Sequence, residues 1–366
     1  MSGKARRKFF GGCACCDTPG LGGVDAGRRS FLAGGVAGGT LTALGGFGSL
    51  GDAGAQASPR RVDVHHHFSS PGFVKEISAR RTGQTALEQW TAAKSVEDMD
   101  KGGVATSVIS ISEPGVHFGN NDAARALARE CNEHAARLKS EHRGRFGNFA
   151  ILPLPDVDGS LKEAEFALDT LKAEGICLMT SYQSKYLGDP LFAPLMEELN
   201  RRKAVVYVHP VRADCCRGLV PNVNEPTIEL PQDTARTILS VVFSGNARRY
   251  PDIRFIFSHA GGTLPLLIHR VEGWANARKD LAAERFPDGV RAEFRKFYYD
   301  TASSDHAWTL VPLTKLVETT QVVFGTDFPF RSAAVTAKGL ADFGFSAADL
   351  GAIDRGNAAR LMPSLA

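Results

Sequence analysis

The chain is 366 residues long, with 43% hydrophobic and 23% charged side chains. These values suit an ordinary globular protein and exclude a disordered tail, a coiled-coil rod and a polytopic membrane protein. Of its 43 Lys or Arg and 40 Asp or Glu, residues 1–57 hold six basic and three acidic groups, which leaves 37 of each in 58–366; a body so balanced carries no electrostatic footprint for nucleic acid or an anionic membrane surface.

In chain order, the first segment reads as an address. Gly27-Arg28-Arg29-Ser30-Phe31-Leu32 is a twin-arginine pair followed by hydrophobics. Residues 33–50 are uncharged and rich in Gly and Ala, and Ala55-Gln56-Ala57 is a small-x-small cleavage site before Ser58. The stretch has too much glycine to make a good membrane span. The expectation is a cleaved twin-arginine signal over 1–57 and a single catalytic domain over 58–366. Export to the periplasm follows, with no stable membrane association after cleavage. That route carries folded proteins, which suits an enzyme loaded with its metal before export. Cys13, Cys15 and Cys16 leave with the leader, and Cys131, Cys177, Cys215 and Cys216 stay. No CxxC pair remains, so neither a zinc knuckle nor a redox dithiol is indicated. Cys177 reads as a core residue. Cys215 and Cys216 are adjacent and pair only as a strained vicinal disulfide, which is not expected.

The body alternates short β-branched runs with amphipathic segments. Strands are predicted over 61–64, 106–111, 145–152, 175–181, 204–209, 253–259, 296–301 and 321–326. Helices are predicted over 122–141, 160–174, 192–202 and 234–250. Strand and helix alternating to a count of eight indicate a parallel sheet with helical crossovers, and favour a closed (β/α)8 TIM barrel over an open sheet. No GxGxxG follows the first strand, which weighs against dinucleotide binding. The connections after strands one and five, 68–103 and 210–233, are long and start on the barrel's catalytic face, so they are candidate lids and substrate contacts. Four prolines (Pro210, Pro221, Pro226, Pro231) stiffen the second.

Four strand ends carry metal-ligand chemistry. The first ends Val62-Asp63-Val64-His65-His66-His67, the fifth Val206-Tyr207-Val208-His209-Pro210, the sixth Phe257-Ser258-His259-Ala260-Gly261-Gly262 and the eighth Phe324-Gly325-Thr326-Asp327-Phe328-Pro329. Residues two apart in a strand face one side, so His65 and His67 converge while His66 points away. Imidazoles with one carboxylate suit a divalent transition metal. Each residue alone has a plainer reading: a strand-end His is often a satisfied polar group, and Asp327 could cap the next helix. The argument is that four separate strand ends on one face supply compatible ligands. His117, His134, His142 and His269 fall outside this register and read as structural or surface residues; His306 is a possible neighbour of the site.

These motifs resemble the amidohydrolase superfamily, in the branch of aminocarboxymuconate-semialdehyde decarboxylase and related metal-dependent decarboxylases, and are most similar to 6-methylsalicylate decarboxylases. The resemblance covers about 62–361. It is carried by VDVHHHF, SISEPGVHFG, ARECNEHAARLKSEHRGRFGNFAILPLPDVDG, KYLGDPLFAPLMEELNRRKAVVYVHP, YPDIRFIFSHAGGTLP and VVFGTDFPF. It implies that His65, His67 and His209 are metal ligands, that Asp327 is a ligand or close neighbour that transfers the proton, and that His259 is an acid/base or electrostatic residue. The region after strand four lacks the bridging lysine of binuclear relatives (Lys185 comes several residues late), so one divalent ion is implied, zinc first and manganese as the alternative. A homodimer is implied as well. Where the semialdehyde decarboxylase has two carboxylate-binding arginines, this chain has Ser95 and Glu97, which favours a smaller, less charged acid.

The implied reaction is non-oxidative decarboxylation of a hydroxylated aromatic acid, with a small aromatic carboxylic acid as the partner molecule. Protonation of the carboxyl-bearing ring carbon is the difficult step, and Asp327 is the candidate donor, with His259 assisting. The alternative is hydrolysis of a lactone or amide by a bound water, with Asp327 as base. A non-catalytic binding protein is the third reading. Phe68, Phe73 and Trp90 could pack on the substrate ring or anchor the first long connection.

Overall fold

The computed structural model describes residues 60–365, and the predicted signal segment lies outside the described residues. Eight strands form the barrel: β1 Arg61–His67, β2 Val104–Ser110, β3 Phe146–Ile151, β4 Gly175–Met179, β5 Val205–His209, β6 Arg254–Phe257, β7 Tyr298–Asp300 and β8 Val322–Val323. They are hydrogen-bonded in chain order, and each adjacent pair is parallel. Backbone bonds from Val64 N to Phe324 O (2.9 Å), Asp327 N to His65 O (2.8 Å) and His67 N to Phe328 O (2.7 Å) bring the ring round from the last strand to the first. Strands covered on both faces need apolar residues on both, and β1 and β5 are buried at every position. Phe149 and Tyr207 stack inside the barrel, their centroids 5.4 Å apart. Tyr207 then packs edge-on against His65 at 5.3 Å, so the core forms the floor of the site.

Several predicted elements differ from those observed. The last strand stops at Val323, because the chain beyond it turns towards β1: Thr326 donates its N–H and Oγ1 to Asp63 at 3.0 and 2.7 Å. The sixth stops at Phe257, because His259 and Ala260 take left-handed φ values of 54° and 56°. The expected long loop over 68–103 contains helices Pro71–Ala79, Thr85–Glu88 and Ala92–Lys101. Ser70 and Thr91 cap the first and last by accepting from Phe73 N and Lys94 N. The helix expected at 234 starts nine residues earlier, as Glu225–Phe243. Pro226 falls in its first turn, where no N–H is needed, and Pro231 is accommodated inside it. The helix expected over 160–174 is Val157–Glu165 followed by a wide turn, Phe166–Thr170. Among the described residues no helix is long and apolar enough to cross a membrane.

Candidate metal centre and its pocket

The β1 alternation does what the spacing predicts. His66 turns outward, with Nδ1 3.0 Å from Asp63 Oδ2, Nε2 2.9 Å from Ser95 Oγ and its ring stacked on Phe328. His65 and His67 turn inward, their Nε2 atoms 3.1 Å apart. Asp327 Oδ1 lies 3.2 Å from His65 Nε2 and 3.3 Å from His67 Nε2. His209, at the end of β5, completes a group whose ligand atoms all lie within 4.8 Å of one another. It is the one such cluster of three or more His, Cys, Asp or Glu among the described residues.

This donor set fits a metal. Ligands about 2.1 Å from one ion stand about 3.0–3.4 Å apart at right to tetrahedral angles, which the His65, His67 and Asp327 atoms match, while the widest pair of the group, within 4.8 Å, would draw together around the ion. The far nitrogens are also arranged for it. His65 Nδ1 is 2.8 Å from Asp300 Oδ2, and His67 Nδ1 is 3.3 Å from the Ser110 carbonyl. Acceptors at Nδ1 assign the proton there and leave the Nε2 lone pair facing the cluster. His209 Nδ1 is buried without a hydrogen-bond partner.

Without an ion, the cluster is electrostatically tense. Burial works to lower the His65 ring, but Asp300 and Asp327 beside it raise it to about 10. Burial lowers His67 to about 4. His209 is held well below its ordinary value by burial and by the neighbouring rings of His67 and His65. Burial would raise Asp327, yet the charge of His65 and bonds from His259, His65 and His67 hold it well below the carboxylate range. One proton on His65 therefore neutralises one carboxylate where a cation would sit.

The other oxygen of Asp327 faces different partners. Oδ2 is 3.2 Å from His259 Nε2 and accepts from Ser303 Oγ at 3.1 Å. Asp327 thus does not cap a helix with its side chain. The turn carrying His259 runs through four consecutive positive-φ residues, His259 to Gly262. At Gly262, φ is 61° and ψ −128°, and a Cβ would meet the Pro231 carbonyl oxygen at 2.1 Å. Only glycine fits there. His209, His259 and Asp327 open into a cavity of about 540 Å³ walled by Pro226, Leu230, Pro231 and Phe330.

Residues 62–363 match the amidohydrolase family. The chain belongs to that family. This amidohydrolase is 37% identical over 294 residues to decarboxylase yanB of Aspergillus niger, covering 76% of this chain and 79% of the relative. It is 35% identical over 276 residues to the 6-methylsalicylic acid decarboxylase of Penicillium expansum, covering 74% and 85%. Among solved structures, the dihydroxybenzoic acid decarboxylase of a Polaromonas species, with bound manganese and 2-nitroresorcinol, matches with a TM-score of 0.72 over 83% of this chain and 96% of that one. At 22% identity, that likeness is one of fold.

Other predicted residues stand elsewhere. Ser95 is buried and accepts from Trp90 Nε1 while contacting His66. Glu97 is exposed and pairs with Lys101. Neither lines the cavity, so neither side chain stands where a substrate would meet it directly. Phe68 and Phe73 are core anchors and Trp90 packs against that core; the aromatic residue on the cavity wall is Phe330. His306 is exposed, and its carbonyl accepts from Thr309 and Leu310 at the start of a helix. His134 stacks on Phe68, while His269 is exposed beside Glu272. Lys185 pairs with Asp189 away from the cluster. The sulfur atoms of Cys215 and Cys216 lie side by side in a short turn, Asp214–Cys216. The sequence reading missed Asp300 and Ser303. Asp300 ends β7 as the histidines end β1 and β5, so the same strand-end rule would have found it; Ser303 offers no such signal.

Proposed function

We propose that this amidohydrolase is a metal-dependent, non-oxidative decarboxylase of a hydroxylated aromatic acid of the 6-methylsalicylate kind. The observation that carries the reading is the division of Asp327: Oδ1 faces His65 and His67, while Oδ2 faces His259. One carboxylate thereby joins a metal-binding cluster to a proton source at the floor of a cavity. The names of the relatives support the class of reaction.

His65, His67, His209 and Asp327 would hold one divalent ion, whose positive charge would anchor the substrate carboxylate and its neighbouring phenolate oxygen. Leu230 and Phe330 offer the ring an apolar wall beside that floor. His259 Nε2 replenishes a proton on Asp327 Oδ2 across their 3.2 Å contact. Asp327 delivers it to the ring carbon bearing the carboxyl group. The bond from that carbon to the carboxyl group then breaks, its electron pair restores the aromatic ring, and carbon dioxide leaves. Three imidazoles and a carboxylate favour zinc, and the manganese of the Polaromonas structure supports manganese as the alternative.

The test is a mass-spectrometric screen of metal-loaded protein against salicylate-type acids. Loss of carbon dioxide is expected, and bond hydrolysis without it would replace this reading with a hydrolase. Asp327→Asn should keep most of the metal and lose about 10²–10⁴-fold in kcat, the usual contribution of such a group. Near-normal kcat would remove Asp327 as the donor. The Arg28-Arg29 pair supports export. Arg28→Lys with Arg29→Lys should leave precursor in the cytoplasm, detected by fractionation, and a mature periplasmic chain would refute this.

A further inference from the structure

We propose that Glu113 selects the substrate: it favours aromatic monocarboxylates with a hydrogen-bond donor on the ring edge that faces it, and rejects acids with a second carboxylate there. The inference rests on the decarboxylase reading and adds the chemical class of acid to it. Glu113 follows β2 and lines the same cavity as His209, His259 and Asp327, yet it is only 4% exposed. Its carboxylate is held by residues of two loops. Oε2 accepts the backbone N–H of Arg212 at 2.9 Å, in the connection after β5. Arg212 Nε stands 2.6 Å from Oε1 as a counter-charge, although its N–H is not aligned for a hydrogen bond. Gln84 Nε2 donates to Oε1 at 3.4 Å. Arg212 is not among the residues that wall this cavity; with Arg217 it flanks Glu113 on the neighbouring one.

Each carboxylate oxygen accepts two bonds. Oε2 has one partner, Arg212 N, among the described residues, and an acceptor position is left for a ligand hydroxyl. A donor placed on it gains about tenfold in affinity, since bonds to charged groups are the stronger kind. An unpaired charge would cost a second carboxylate about 5 Å away on the order of 100-fold at an effective dielectric near 20; Arg212 offsets part of this, which leaves a loss of about tenfold. Burial raises the pKa of Glu113, and the charge of Arg212 opposes the rise, so the comparison belongs at a pH well above the carboxylate range.

The experiment measures dissociation constants for the metal-loaded full chain by titration calorimetry at about pH 8, independently of turnover. The probes are salicylate, its ring-hydroxylated relatives β-resorcylate, gentisate and pyrocatechuate, and a hydroxyisophthalate. At least one hydroxylated relative should bind about tenfold more tightly than salicylate, and the dicarboxylate should bind worst. Glu113→Gln, of the same size, should erase most of the hydroxyl preference and improve the dicarboxylate relative to salicylate by tenfold or more. Glu113→Asp keeps the charge and should keep the dicarboxylate penalty, which guards against a folding artefact in the first variant. Equal binding of all the probes, or unchanged ratios in Glu113→Gln, would overturn the assignment of Glu113 while leaving the decarboxylase reading in place. Failure of every aromatic acid to bind would overturn both.

Discussion

One carboxylate, Asp300, fixes two histidines at once. Its Oδ2 meets His65 Nδ1 at 2.8 Å, and its Oδ1 accepts the backbone N–H of His259 at 2.8 Å. It is fully buried, and a third bond from Ala302 N holds it at 3.0 Å. Carboxylates placed behind a ligand imidazole set its orientation and raise its basicity. Asp300→Asn should therefore lower metal affinity about 10–100-fold, and it should also reduce kcat by releasing the His259 turn. His66→Ala should keep its metal, because that ring faces Asp63 and Ser95. Metal content and affinity by competition with a chromogenic chelator check both variants. Metal loss in His66→Ala, with retention in Asp300→Asn, would mean that the ligand geometry depends on different neighbours.

At the scale of elements, the site depends on how two segments meet. The turn from His259 to Gly262 packs onto helix Glu225–Phe243, where Thr263 N donates to the Pro231 carbonyl at 3.2 Å. Gly262→Ala would put a methyl group into that carbonyl and force a residue with a Cβ into a backbone region that only glycine tolerates, a strain of roughly 1–3 kcal/mol. The expected result is a lower melting temperature and a displaced His259, with metal content preserved. Gly273→Ala, in helix Leu264–Ala277 with nothing within 4 Å of a new Cβ, should be neutral or slightly stabilising. Calorimetry and kcat on both variants check this, and equal behaviour would contradict it. The same junction shows what could be read in advance. His65, His67, His209, His259 and Asp327 were legible because each closes a short β-branched run, and a strand end on a barrel is a defined place. The helical start at Glu225 was not, because Pro226 and Pro231 read locally as breakers while the packing of the His259 turn supports the helix from outside. Where Ser95 and Glu97 face was not legible for a related reason. Position relative to a motif does not reveal helical phase, and in helix Ala92–Lys101 the buried phase of Ser95 turns it towards His66 while Glu97 faces solvent.

The whole body is linked to the occupancy of its centre. A ligand that binds only the folded state stabilises it by about 2.7 kcal/mol at a hundred times its dissociation constant. Removal of metal with a chelator should therefore lower the melting temperature by several degrees. The proton on His65 gives this effect a pH dependence. In the metal-free fold that ring titrates near 10 against an ordinary 6.5. Its stabilising contribution is therefore complete below about pH 6.5 and lost as pH rises through 10. Metal replaces that proton, so apparent metal affinity should rise by up to about tenfold per pH unit as pH rises towards 10. The difference in melting temperature between metal-loaded and chelated protein should be larger at about pH 8.5 than at about pH 6.5. A pH-independent difference, measured by scanning calorimetry, would show that no proton leaves when metal enters.

The double attachment of Asp300 also bears on how such a protein can change over generations. A substitution there disturbs the His65 ring and the His259 turn together. Glu113, Leu230 and Phe330 line the cavity from segments that do not depend on Asp300 for their hydrogen bonds. Drift can therefore alter which acid is accepted while the reactive centre stays as it is. Lineages built on this barrel would diversify in diet far sooner than in chemistry.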